Sequence, residues 1–376
     1  NGMRVAVKRS ELIEYFKYII VAIRKDRWVA NLFYRLADKN TRNGIQIFED
    51  FCKSGHMKEK DILAMRVLGD DAQIPAYRFE NVLLRKNRRF YNGDESNFVN
   101  LFASDYNDDF PDPFVRADIL NWLYQVQALS GPTGDKGLFQ VSELARSLQV
   151  YGHSLAVIYR ELAYLARKNL VLCENSAMPI EEGDLVKITI PGALHLQMLR
   201  NVSYLSACAE DTLFKNTEVM TRISNRLKFH ESDSKLVVAL NARDLVNYLI
   251  EYRKEYLTNS DELVSKKAII SSVDLNDSLH AVEQWIQADE NLKKTISEID
   301  YFTVDMDVDA CVVSKNSGGV VCTIADKDVK GFISSLEPKY SFPRDVYSKI
   351  KPGDILKCKV MEFDFTHRSF QLKYLN

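Results

Sequence analysis

The sequence predicts a multidomain, mainly α chain with small β modules, and three observations carry that reading. Apolar residues return every three or four positions through most of residues 1–300, the period of helices with one buried side. Between residues 113 and 200 three such helices are followed by a hairpin. After about residue 301 the period falls to two, as it does in half-buried strands.

The elements follow in chain order. Residues 11–20 are apolar on more than one face, as a helix covered by neighbours would be. A second helix over 29–38 leads into residues 40–56, where Ile45, Ile47, Phe48 and Phe51 form the buried side and Gly55 is placed to stop the helix. Residues 1–75 therefore read as a helical domain. A polar connecting segment, 76–112, holds the basic cluster Arg85, Lys86, Arg88 and Arg89 and an acidic loop over 105–109. The cluster could contact phosphates, yet Val82, Leu83 and Leu84 beside it favour a solvated helix end anchored to protein.

In residues 113–200 the first helix is spelled by Phe114, Ile119, Leu120, Trp122, Leu123 and Val126. A glycine- and proline-rich loop over 130–137 ends it. Leu138 and Phe139 predict a very short strand, Ser142 a helix cap, and 154–168 a third helix burying Leu155, Ile158, Leu162 and Leu165. Residues 170–173 and 185–189 can pair as a hairpin. Helix, helix, helix, hairpin is a winged helix. In its DNA-binding geometry the third helix enters the major groove, which nominates Arg160 and Arg167 with His153 at the N-terminal end. The wing carries Glu174, Glu181, Glu182 and Asp184, which repel a polyanion, so protein docking is the favoured use. A helical spacer follows over 201–300, with long amphipathic segments at 218–230, 236–257 and 275–296.

Asn40, Thr41, Arg42, Asn43, Gly44 and Ile45, then Arg88 to Tyr91, Ser96, Asn100 to Phe102, the winged helix and Asp211–Thr212, resemble the C-terminal lid and winged helix of AAA+ and STAND-type P-loop ATPases of the origin-recognition-like group. The resemblance covers about the first 215 residues and makes Arg42 the counterpart of the arginine that senses the nucleotide. Lys39 stands where that pattern has glycine, and Asn43 where it has a second arginine. A phosphate-cradling loop needs G-x-x-x-x-G-K-[ST] after a strand. The nearest run, Gly131 to Gly137, is too short and lies between two helices, so it reads as a turn. The expectation is a part that follows such a motor and holds no cofactor itself, ATP acting only through an ATPase core outside it. Asn1-Gly2-Met3 reads as an expression remnant before a start at Met3, and a lid without its motor as a truncation or separated subunit.

Over 301–376, Asp305, Asp307 and Asp309 alternate with Val304, Met306 and Val308, the wet and dry faces of a strand. A calcium loop would need glycine sixth and glutamate twelfth, where Ala310 and Asn316 stand. Further strands at 318–324, 329–335, 350–364 and 369–373, with Lys351-Pro352-Gly353-Asp354 leading into the fourth, resemble the OB-fold repeat of the ribosomal S-one type. The expected fold is a five-stranded OB barrel, and the resemblance implies single-stranded RNA binding by stacking in a basic groove. That family's aromatic on the second strand falls at Val320 and its histidine on the third at Ser334. Phe332 and His367, with Phe363 or Phe365, remain to stack, and Lys330, Lys357, Lys359 and Arg368 supply charge.

Composition narrows the functions. Fifty Lys and Arg against 52 Asp and Glu give a net charge of -2, so nucleic-acid binding must rest on local patches. Six scattered cysteines without C-x-x-C, and six scattered histidines without H-E-x-x-H, point away from zinc sites and toward reduced, buried thiols. The apolar run 18–23 is too short to cross a bilayer, so a cytoplasmic, non-membrane protein is expected. No Gly-x-Ser-x-Gly elbow marks a nucleophile. The leading reading is a non-catalytic C-terminal part of an ATPase-type regulator that binds nucleic acid, single-stranded RNA or DNA, through the winged helix and the OB fold, partnered by a protein or its own ATPase core. The rival is a protein-interaction scaffold using both modules as docking surfaces.

Overall fold

A computed structural model describes residues 9–56, 67, 76–105, 107, 111–130, 137–175, 179–229, 234–256, 271–324, 329–336 and 342–375. Fourteen helices and eight strands occupy these residues, divided between two units. The expected turn at 131–136, most of the acidic loop 105–109 and the start at residues 1–3 lie outside them.

The first unit takes Asn1–Ser224 and Val238–Gln284. It opens with α1 (Arg9–Lys25), α2 (Arg27–Ala37) and α3 (Thr41–Lys53). Asp26 caps α2, its carboxylate accepting from the backbone N–H of Trp28 at 2.9 Å and Val29 at 3.1 Å. Asp38 and Lys39 then turn the chain through left-handed backbone (φ 49° and 61°), and Asn40 caps α3 in the same way. α3 ends at Ser54 in extended backbone, one residue before the expected glycine stop. Phe33, Phe51 and Phe79, the last on α4 (Ala76–Arg85), stack with centroids 5.0 and 5.2 Å apart. A ring buried this way contributes about 1.5–3 kcal/mol, which makes this stack the bond between α3 and α4.

Next come α5 (Val115–Ser130), β1 (Phe139–Gln140), α6 (Val141–Val150), α7 (Leu155–Arg167), β2 (Val171–Cys173) and β3 (Leu185–Ile188). The strands form an antiparallel sheet in the order β1-β3-β2, and α5 packs against α6, α7 and β3. α6 starts at Val141 after Gln140, so Ser142 lies inside the helix instead of capping it. α8 (Ile190–Met198) leaves the hairpin at once. A Cβ on Gly192 would meet the Leu170 carbonyl oxygen at 2.2 Å, so only glycine fits this crossing. α9 (Val202–Asp211), α10 (Thr217–Phe229), α11 (Lys235–Tyr256) and α12 (Asn276–Gln287) follow, the last three reaching the boundaries between the units.

The second unit takes Asn225–Val237 and Trp285–Asn376. The segment read as one helix over 275–296 is two, because Asp289 caps a new start: its carboxylate accepts from the Leu292 N–H at 3.2 Å, opening α13 (Glu290–Tyr301). β4 (Asp307–Asn316), β5 (Gly319–Ile324), β6 (Val329–Ser334), β7 (Ile355–Asp364) and β8 (Ser369–Tyr374) close a barrel, with α14 (Arg344–Lys349) between β6 and β7. The order is β4-β5-β6-β8-β7, and every pairing is antiparallel except β6 with β8. This is the expected OB-like five-stranded barrel. β4 begins at Asp307; Asp305 precedes it in left-handed backbone (φ 67°) and Val304 is exposed, so the alternation starts later than the sequence suggests. Val308, Ala310, Val312, Val320, Cys322, Ile324, Cys358 and Leu372 point inward, and Phe302 closes one end against Phe370 at 5.1 Å.

Candidate nucleic-acid interface

Two walls of the barrel exterior differ in how their charges are met. On the β4–β7 wall, Lys357 bonds Asp309 at 2.6 Å and Lys359 lies 4.0 Å from Asp305. Two of the three barrel lysines nominated by the sequence, Lys357 and Lys359, are thus answered by neighbouring carboxylates. On the β5–β6–β8 wall, Phe332 faces Val321 on one side and Gln371 on the other, and Lys330 faces Thr323. Phe332 is partly exposed, and its ring tip lies over Gly319, where a Cβ would meet Cζ at 2.7 Å. Lys330 is exposed and has no ion pair among the described residues.

The β7–β8 hairpin borders this wall. The Asp364 carboxylate accepts from the N–H groups of Thr366 and His367 at 2.8 and 3.1 Å, and its second oxygen meets His367 Nδ1 at 2.8 Å. Partial burial opposes its charge, but the His367 bonds outweigh this and hold the carboxyl below the usual range. His367 stays 77% exposed at the side chain, and the next residue, Arg368, is exposed in left-handed backbone (φ 49°). Phe363 packs inward on Phe370 at 5.0 Å and Phe365 packs on Phe363 at 5.1 Å. The Arg226 guanidinium lies 5.9 Å from the Phe365 ring, so both phenylalanines are already engaged by neighbouring side chains. Val320 is fully buried and Ser334 nearly so, which leaves the two positions where the resembled family stacks bases without a usable surface.

In the first unit the nominated residues are scattered and mostly engaged. His153 is buried, with Nδ1 2.5 Å from Asp112 and Nε2 3.0 Å from Asp118. Burial works against a charged ring, yet the two carboxylates prevail and raise its pKa to about 10. Asp118 in turn accepts from Ser272 Oγ at 2.7 Å and the Val273 N–H at 2.8 Å, so this histidine is a structural cation facing inward. Arg160 bonds Glu161 at 2.8 Å, and Arg116 takes the other oxygen of that carboxylate at 2.6 Å. Arg167 is exposed near the end of α7, while Tyr164 and Lys168 of the same stretch bond Asp94. At the N-terminal end of α7, Ser154, Leu155 and Ala156 are exposed and uncharged.

The cluster at the end of α4 separates likewise. Arg85 is buried against Glu210 and bonds Asn81 at 2.8 Å; Arg88 pairs with Glu95; Arg89 stacks on Phe90 at 5.1 Å. Arg42 is exposed on the first turn of α3, its backbone N–H held by Asn40. Among the described residues no group of His, Cys, Asp and Glu could hold a metal ion, and no helix is long and apolar enough to cross a membrane. All six cysteines are free thiols.

Sequence reasoning missed Gln371 and Glu362, which follow Phe332 in turn across the sheet, on β8 and then on β7. The period-two alternation of β8 puts Gln371 on the outer face. Only the register, set by a bulge between Val360 and Glu362, brings Glu362 opposite it.

No protein-family profile and no curated protein matches the sequence. Among solved structures, two of RNase R from Mycoplasma genitalium are similar: the apo form at 11% identity and TM-score 0.18, and the complex with ribose-methylated single-stranded RNA at 12% identity and TM-score 0.20. Each match covers 70% of this chain and 40% of the other, so the chain spans well under half the length of the structures it matches.

Proposed function

We propose that this chain is a recognition component without catalysis of its own, and that its barrel binds single-stranded nucleic acid along the β5–β6–β8 wall. One observation carries the reading: a partly exposed aromatic ring, Phe332, beside Lys330, a lysine with no ion pair among the described residues, on the outside of a closed five-stranded barrel. Bases stack on such rings at about 1–3 kcal/mol each, and cations along the groove track the phosphates. Arg368 extends the positive edge at the hairpin, with His367 beside it.

In the first unit the strand order and three helices fit a winged helix, and its surface favours protein. The exposed start of α7 is apolar at Leu155 (40% exposed), and the wing presents Glu174, Glu181 and Glu182. A protein partner, such as the ATPase core of a larger regulator, suits that face better than a polyanion. The lid resemblance draws support from Lys39, which occupies the glycine position of the pattern and has the left-handed backbone glycine adopts most cheaply. In this reading Arg42 faces a nucleotide held by the core, ATP acts only through that core, and the chain works in the cytoplasm.

Fluorescence anisotropy with labelled oligouridylate and oligothymidylate tests the barrel. Phe332→Ala is expected to lose about 1–3 kcal/mol of binding. Lys330→Ala is expected to flatten the dependence of log K on log salt by about 0.7. Absence of binding at low salt, or an unchanged Phe332→Ala affinity, would overturn the proposal and leave the docking scaffold.

A further inference from the structure

Across the outer wall, Phe332 on β6 faces Gln371 on β8, and Gln371 faces Glu362 on β7. Strands lie about 4.8 Å apart, so Glu362 stands roughly 10 Å from Phe332, within reach of the edge of a base stacked on the ring. The Gln371 amide nitrogen donates to Asp364 at 3.4 Å. A carboxylate cannot donate in return, which turns the Gln371 carbonyl oxygen away from Asp364 as a remaining acceptor. Glu362 is exposed and has no ion pair among the described residues. Side by side, these two residues offer a base edge two acceptors, while Lys330 lies two residues before Phe332 on β6 and faces Thr323 on β5.

We propose that Glu362 and Gln371 read the base stacked on Phe332 and select guanine against uracil. This rests on the barrel being a single-strand binder and specifies which base it holds. Guanine presents N1–H and its 2-amino group as adjacent donors, which one carboxylate accepts together. Uracil presents a single N–H between two carbonyl oxygens, and those oxygens face Glu362 unfavourably. In single strands that edge is unpaired and open to side chains. The same carboxylate repels phosphate, so the strand lies with its bases toward β7 and its backbone toward Lys330.

The test uses the full chain and short labelled uridine oligonucleotides in which one central base is uracil, guanine or hypoxanthine, the last lacking only the 2-amino group. The guanine strand is expected to bind roughly tenfold tighter than either other strand, the size of one good bidentate contact. Glu362→Gln and Glu362→Ala are each expected to erase the guanine–hypoxanthine difference while leaving the uracil strand bound as well or better. Equal affinity for the three strands, or a guanine preference that survives both substitutions, overturns base reading. If binding stays sensitive to Phe332→Ala in that case, the single-strand reading stands; if no strand binds at low salt, both fall.

Discussion

Arg85 in the first unit and Lys330 on the barrel are both conspicuous cations in the sequence, yet the fold treats them oppositely. The Arg85 side chain is 2% exposed and meets Glu210, which also accepts the Tyr91 N–H at 2.8 Å. Lys330 projects from β6 beside Phe332 with no carboxylate of the described residues against it. Carboxylates of the fold likewise meet His153, Arg116 and Arg160, whereas Lys330 on the β5–β6–β8 wall has no ion pair among the described residues. A cluster of basic letters therefore does not by itself mark a binding surface, because the fold can bring acids to it.

The strongest way to break this contrast is to remove one side of the buried pair. Burial lifts the Glu210 carboxyl above its usual range even though Arg85 and the Tyr91 N–H pull it down, so removing Arg85 takes away a group that favours its charged form. Arg85→Met should cost about 3–5 kcal/mol of stability, read from urea denaturation. A second change, Glu210→Leu, should recover much of it, since a packed apolar pair replaces a stranded charge. RNA affinity of the barrel should not move. Loss of RNA affinity in a stably folded Arg85→Met variant would put Arg85 in the binding machinery and erase the distinction.

A somewhat smaller effect separates two histidines inside the first unit. His195 is fully buried, accepts the Val99 N–H at Nε2 (2.9 Å) and donates from Nδ1 to the Pro191 carbonyl (2.7 Å). Burial lowers its pKa to about 4, against the pull of the Pro191 carbonyl. Between about pH 6.5 and 4 the unfolded chain therefore binds the extra proton, and stability present above 6.5 is lost on acidification, by about 3 kcal/mol. His153 does the reverse. Its contribution is complete below 6.5 and is lost as pH rises toward its folded value of about 10. Urea midpoints against pH should fall on both sides, with His195→Gln flattening the acid limb and His153→Gln the alkaline one. A single variant flattening both limbs would mean that the two rings do not differ in protonation state.

Much of the fold was legible from period alone. The three helices and hairpin of residues 113–200 and the five barrel strands follow the 3.6- and two-residue alternations, apart from the later starts of β4 at Asp307 and β7 at Ile355, because those patterns record which face is buried. Breaks set by a single side-chain bond were not: Asp289 splits a continuous amphipathic pattern by capping, and periodicity cannot see a cap that keeps phase. The candidate site was half legible. Phe332 and Lys330 stand out by residue type and parity, whereas the status of Lys357, Lys359, Arg85 and His153 depends on acids brought together by the fold; the partners of Arg85 and His153 lie 125 and 35 to 41 residues away. Gln371 and Glu362 needed the β-bulge and the parallel β6–β8 register.

The smallest expected effect is the sharpest check on the two walls. Lys357 and Lys330 are both exposed strand lysines, but Lys357 bonds Asp309, and that bond, with the attraction of the same carboxylate, raises its pKa. A lysine already met by a carboxylate brings a phosphate little net attraction, and the acid beside it repels. Lys357→Ala should therefore leave both the denaturation midpoint and the salt slope of RNA binding unchanged, in contrast to the flattening of about 0.7 expected for Lys330→Ala. Asp309→Asn supplies the complement: it frees Lys357 without adding a charge. If the strand keeps to β5, β6 and β8, affinity stays as it was. If Asp309→Asn tightens binding and steepens the salt slope, the strand also reaches the β4–β7 wall, and the Asp–Lys pairs there are a restraint on binding instead of a neutral surface.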